Sequence, residues 1–275
     1  MRGLVETIKN EWQAKVSLLL FILLTGWWIF IQQQTVGVDL NHNYFSDTYG
    51  LIALWGGVWG FYISIGWGGM KSIVGKTIIF FSIGLLLQEF GQLAYSYYYL
   101  FEGISVPYPS IGDIGYFGSI PFYILGVYNL AKSSGIVISL KSIENKFQAV
   151  LIPLGMLAVS YFLFLRGYEF DFSQPLTIFL DFGYPLGQSI YISLALLTFL
   201  LSRKLLGGMM KGRILFFLFA LVMQYLADFT FLFQANNDSW SAGGLNDYLY
   251  LVSYFLMSIA LFQMYTALSK FHKAE

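Results

Sequence analysis

The stretch "KSIVGKTIIFFSIGLLLQEFGQLAYSYYY", residues 71–99, has two lysines at one end, tyrosines crowded at the other, and a single acid, Glu89, in the apolar run between them. The run from residue 77 to residue 99 is long enough to cross a hydrocarbon core of about 30 Å, which takes roughly 20 residues. Glu89 then lies where an ionised carboxylate is costly unless protein or water faces it.

The rest of the chain has the same character. Of its 275 residues 57% are hydrophobic, 20% aromatic and only 11% charged, against about 25% charged in an ordinary soluble domain. An all-α integral membrane protein is expected, with apolar runs near 16–33, 48–67, 77–99, 113–131, 147–165, 175–201, 213–233 and 247–268. Eight spans sort the basic residues. Arg2, Lys9, Lys15, Lys71, Lys76, Lys132, Lys141, Lys146, Arg203, Lys204, Lys211, Arg213, Lys270 and Lys273 fall on one side, and Arg166 alone falls on the other. Basic loops stay in the cytoplasm, so both termini are expected there, in a multi-pass protein of the cell's inner membrane. The first run is followed by Gln32, Gln33 and Gln34 rather than a small-residue cleavage site, which predicts a retained helix. The basic residues anchor helix ends and form no patch, which argues against a nucleic-acid partner and leaves membrane lipid as the surrounding one. No cysteine is present, so disulfides and thiolate chemistry are excluded.

An internal repeat is expected next. Asp47 and Asp181 are 134 residues apart, as are Asp113 and Asp247, while "FYISI" (61–65) resembles "IYISL" (190–194) and Glu89 pairs with Asp228 at 139. The chain thus divides into a first four-helix half (1–131), a connecting segment (132–146) with a short interfacial stretch, and a second four-helix half (147–275) in the same orientation. After the eighth run only "SKFHKAE" follows, so no output domain is expected within the chain.

The acids gather in the outer half of the predicted spans, and helical spacing gives each its neighbours. The third run offers Glu89 and Gln92, the fourth Asp113 and Tyr116, the sixth Asp181, Tyr184 and Gln188, the seventh Gln224 and Asp228, the eighth Asp247, Tyr250 and Tyr254. These are the candidate ligand-binding residues, and their faces are expected to converge on an outer cavity. In "PSIGD" (109–113), Ser110 with Asp113 three residues on has the form of a capping box, a structural role that suits Asp113, Asp47 and Asp247. Glu89, Asp181 and Asp228 lie inside their spans, far from free amide groups. For them the choice is between pinning helices together and lining a wet or ligand-holding site.

Three segments resemble a known family. "VPYPSIGDIGYFGSIPFYILG" (106–126), "LDFGYPLGQSIYISLALL" (180–197) and the pair "LADFTFLFQ" and "GGLNDYLYLVSYFLMSIAL" (226–261) are similar to the polytopic N-terminal membrane modules of some bacterial diguanylate cyclases and related signalling proteins. The resemblance implies a receiver of an outside or membrane-borne signal. The GGDEF catalytic domain of those proteins has no counterpart in this sequence, so the resemblance implies output through a cytoplasmic or membrane protein partner.

Other chemistries are excluded by residue placement. Every lysine lies at an inner end or in a tail, which rules out a retinal Schiff base. His42 and His272 fall on opposite sides, which rules out bis-histidine haem, and no zinc ligand set, P-loop or nucleophile elbow is present. Neither cofactor, metal nor catalytic set is expected. Arg166 is the single outer cation, so an anionic ligand would lack partners, and a small neutral or cationic ligand fits better. Outer aromatics, among them Tyr95, Tyr99, Tyr108 and Trp240, suit a cation. The expectation is a sensor-like binding module; a transporter or channel subunit is the alternative, disfavoured because "LIPLGML" and "LALLTFLL" leave the inner halves apolar.

Overall fold

The computed structural model describes residues 2–34, 38–134, 143–202 and 208–274, and every regular element among them is helical. In chain order these are α1 (Arg2–Asn10), α2 (Trp12–Gln32), α3 (Val38–Thr48), α4 (Leu51–Gly66), α5 (Ile73–Tyr97), α6 (Gly112–Ser133), α7 (Ile143–Ser160), α8 (Pro175–Ser202), α9 (Gly208–Asn236) and α10 (Leu245–Ala274). Among the described residues eight helical stretches are long and apolar enough to cross a membrane: α2, α3–α4 from Asn41, α5 through α10. The chain is a multi-pass, all-helical membrane protein. Its second span begins at Asn41, ahead of the hydropathy edge near 48, because the polar segment "NHNYFSDT" is itself helical and continues into α4. Most of the connecting segment 132–146, with its expected interfacial stretch, lies outside the described residues, as do Arg203 and Lys204.

Local chemistry sets the helix ends. Ser72 caps α5, its hydroxyl accepting from Gly75 N at 2.8 Å, which satisfies one of the first-turn amides. At the other end α5 widens into a π turn at Tyr98–Glu102 and stops at Gly103, whose φ of 63° favours glycine. Pro175 opens α8, where its missing N–H costs nothing. Inside α8, Pro185 removes one helical donor, and the Ser160 hydroxyl donates to its carbonyl at 3.1 Å.

Packing in lipid needs close backbone approach, which small residues allow. α5 and α6 meet through Gly91 and Gly115: a Cβ on Gly115 would run into the Leu87 carbonyl and the Gly91 backbone. α5 also packs on α4; α6 packs on α8; α8 packs on α7 and α9; α10 packs on α9, α4 and α2. α10 is the central post, with 78% of its apolar stretch buried, against 22% for α2 and 11% for α7, which face lipid. α1 lies along α10, joined by the Lys270–Glu6 ion pair and a 3.0 Å hydrogen bond between Thr7 and Thr266 hydroxyls. The two ends of the chain therefore meet at one end of the bundle, as an even number of spans requires.

Candidate functional site

Two tyrosines on one face of α10 organise the polar interior. Tyr250 donates its hydroxyl to Asp228 Oδ1 on α9 at 3.0 Å, and Tyr254, one turn on, donates to Gln88 Oε1 on α5 at 3.0 Å. Their rings lie 5.7 Å apart, tilted by 37°, and Tyr49 stacks on both at 6.3 and 6.0 Å. α10 thus joins helices from both parts of the chain through hydroxyl groups buried away from water.

Asp228 is buried and well supplied. Besides Tyr250 it accepts from Tyr191 on α8 at 2.7 Å and from Gln224 Nε2 at 3.0 Å, and Gln224 Oε1 accepts from Ser253 on α10 at 2.6 Å. Three donors on one carboxylate stabilise its ionised form and fix its orientation. On the other side of α10, Gln88 Nε2 donates to Ser119 on α6 at 2.9 Å, Gln92 Oε1 accepts from Tyr116 at 3.1 Å, and Gln92 Nε2 donates to the Ser46 carbonyl.

Asp113 and Asp247 take backbone amides before their helices, as the capping reading expects, and add a bond between spans; Asp47 does not, because it lies in the last turn of α3 and accepts from no backbone amide. Asp113 Oδ2 accepts from Ser110 N at 2.7 Å, closing the loop before α6, while Oδ1 accepts from Tyr184 on α8 at 2.7 Å. Asp247 Oδ2 accepts from Gly243 N at 2.7 Å and from the Ser46 hydroxyl. Asp47 accepts from Ser96 on α5 at 2.6 Å. Asp181 stands apart from the buried network, at the end of the bundle opposite α1, gripped by Tyr108 at 2.7 Å and Tyr168 at 2.6 Å from two loops. Those bonds hold the phenols protonated. Burial, then the Asp181 contact, pushes Tyr108 well above the usual phenol range, and the bond to Asp181 pushes Tyr168 up to about 12.

Asp47 Oδ2 is buried without a hydrogen-bond partner, while its Oδ1 takes the Ser96 bond; Glu89 is the second acid with such an oxygen. It is 3% exposed, and its Oε2 is buried with no hydrogen-bond partner against Gly50, at the turn between α3 and α4.

Of the residues singled out in the sequence, Gln224 and Asp228 bond with Tyr250 in one group, and Tyr254 bonds with the α5 amide Gln88 in a second, the two meeting at the Tyr250–Tyr254 ring contact on α10. Gln92 and Tyr116 adjoin them, Asp113 pairs with Tyr184, Asp247 closes on the α3 end, and Gln188 is buried on α8. Sequence reasoning missed Gln88, Tyr49, Ser119 and Ser253. Gln88 is one turn from Gln92, and Ser119 and Ser253 repeat the offset of 134 residues, so both signals were present. Among the described residues no three His, Cys, Asp or Glu side chains come together as a metal site.

Comparison with known proteins returns no family model, curated protein or solved structure that matches the chain.

Proposed function

We propose that this chain is a sensor-like binding module of the inner membrane, with both termini in the cytoplasm, whose outward-facing acidic and aromatic core takes a small neutral or cationic ligand. The change passes to a cytoplasmic or membrane protein partner through shifts of the packed helices. One observation carries the reading: Tyr250 and Tyr254 tie Asp228 on α9 and Gln88 on α5 to a single helix, so a ligand that competes for those bonds moves α10 against both neighbours. The resemblance to membrane modules of diguanylate cyclases, in its Asp113, Asp181 and Asp228 segments, points the same way.

The hydrogen bonds also support a direct repeat of two four-helix halves. Asp113 and Asp247 each accept from a backbone amide in the loop before their helix; Tyr116 and Tyr250 each donate to the preceding span; Ser119 and Ser253 each meet a glutamine there. This register pairs Gln88 with Gln224 and Gln92 with Asp228, at an offset of 136, rather than Glu89 with Asp228. The contacts of α6 with α8 and of α10 with α4 exchange under the implied two-fold axis. The first half then keeps a neutral amide where the second has an acid.

Deeper hydroxyls support a dead-ended site over a transport path, since Ser82, Thr77 and Thr198 bond carbonyls of their own helices. The transporter alternative draws on one feature, buried Arg213, whose Nε donates to the Gln263 carbonyl at 2.9 Å near the inner end.

The test uses the purified full chain and a panel of small amines, alcohols and sugars, read by thermal shift and native mass spectrometry. A ligand should raise the melting temperature of wild type and of Asp113→Asn, and at least tenfold more of it should be needed for Asp228→Asn. Uptake of the same compound into proteoliposomes would instead favour the transporter. Single cysteines at Ser105, Ser173 and Ser239 should react with an impermeant thiol reagent from outside, and one at Ser133 should not; a reversed site removes the topology.

A further inference from the structure

Glu89 and Asp47 are the acids left with a buried, unpartnered oxygen, and Glu89 is the one that lies inside a helix, α5, rather than at a helix end. Asp228, Asp247, Asp113 and Asp181 each accept at least two hydrogen bonds, but Glu89 Oε2 is buried without a donor, on a residue only 3% exposed. Among the described residues no basic side chain pairs with it. The ionisable groups that sense its charge are Tyr49 before α4, Tyr116 on α6 and Tyr254 on α10, and Tyr116 and Tyr254 already spend their hydroxyl protons on Gln92 and Gln88. Asp247 reaches Tyr49 and Tyr116 from α10, Asp228 reaches Tyr254 from α9, and Asp47 and His42 lie beyond Asp247 on α3.

A bare carboxylate in such a place bears the full desolvation cost of its charge; a protonated one does not. Its position also has a mechanical side. Oε2 rests on Gly50, where any side chain would collide with it, so the turn between α3 and α4 can close on α5 only with Glu89 compact against it. Ionisation calls for water or a cation beside Oε2, and Gly50 leaves room for neither while the turn is closed.

We propose that Glu89 is a proton-binding site that couples its occupancy to the fit of the α3–α4 turn on α5: protonated, it packs against Gly50; on losing its proton to outer-side water, it drives the turn away. The inference rests on the binding reading above and supplies its regulation, with the proton as a second ligand.

Infrared spectroscopy of the full chain in lipid nanodiscs reads this directly. Wild type at neutral pH should show the carbonyl band of a protonated carboxylic acid, equal to about one group per chain, which shifts in heavy water and disappears reversibly as pH rises. Glu89→Gln should abolish it and Asp228→Asn should keep it. Gly50→Ala, which keeps the acid but whose added methyl would push its carboxyl off the turn, should shift the band. Should Glu89→Gln not fold, Glu89→Asp supplies the same reading, since shortening the side chain should move the band. Absence of the band in wild type, persistence in Glu89→Gln, or a band that responds to sodium but never to pH would each overturn the proposal. Failure of the binding reading is separable: a titrating Glu89 band with no ligand-induced thermal shift leaves this site standing and removes that one, and the converse holds equally.

Discussion

At the scale of single residues, the contacts divide the carboxylates by how they are supplied. Asp228 has three donors, so removing one is tolerable: Tyr250→Phe should lower stability by about 1 kcal/mol, the size measured for hydrogen bonds between membrane helices, whereas Asp228→Leu, which strands Tyr191, Tyr250 and Gln224 together, should cost several times more in the same denaturation assay. Asp181 offers a pH prediction at its end of the bundle. A phenol normally releases its proton near about pH 10, and Tyr168 holds its own up to about 12. Because the folded state favours the protonated form, the stabilisation is complete below about pH 10 and is lost as pH rises through about 12. The difference in tyrosinate absorbance between wild type and Tyr168→Phe should therefore appear in that window, and Asp181→Asn should move it lower. The candidate acids and tyrosines were legible from spacing alone, because helical periodicity puts residues three and four apart on one face. What no spacing displays is the choice of partner: that Tyr254 reaches α5 while Tyr250 reaches α9, or that Glu89 faces Gly50, follows only from how the helices cross.

At the scale of helices, lipid removes the usual apolar drive for association, and close backbone packing takes its place. Gly115 tests this. Its substitution by alanine would press a methyl into the Leu87 carbonyl, and overpacking typically costs about 1–3 kcal/mol. Gly155, on lipid-facing α7, has nothing within reach of an added Cβ. Gly115→Ala should lower the melting temperature by several degrees and Gly155→Ala should leave it unchanged or raise it slightly, since alanine is the better helix former. The eight spans were readable because twenty apolar residues in a row admit few alternatives. The start of the second was not, since α3 has the polar composition of a loop and is helical because it packs on α2 and α5.

At the scale of the whole molecule, the fold is arranged about its last helix. α2 and α7 spend most of their surface on lipid, while α10 is enclosed by α2, α4 and α9 and carries the hydroxyls that satisfy Gln88 and Asp228. A chain cut after residue 244 should therefore insert yet lack a fixed interior. Its remaining helices should exchange amide protons and yield to protease far faster than in the full chain, whereas removal of α1 should leave those rates nearly unaltered within the bundle. The ribosome delivers the chain from the other end. Seven spans enter the bilayer before the one that answers their polar faces exists, so during synthesis Asp228 and Gln88 must be held by water, by lipid headgroups or by the insertion machinery itself. Until residues 245–274 arrive, α9 and α4 have no helix between them, and the circle of packed helices stays open at that seam.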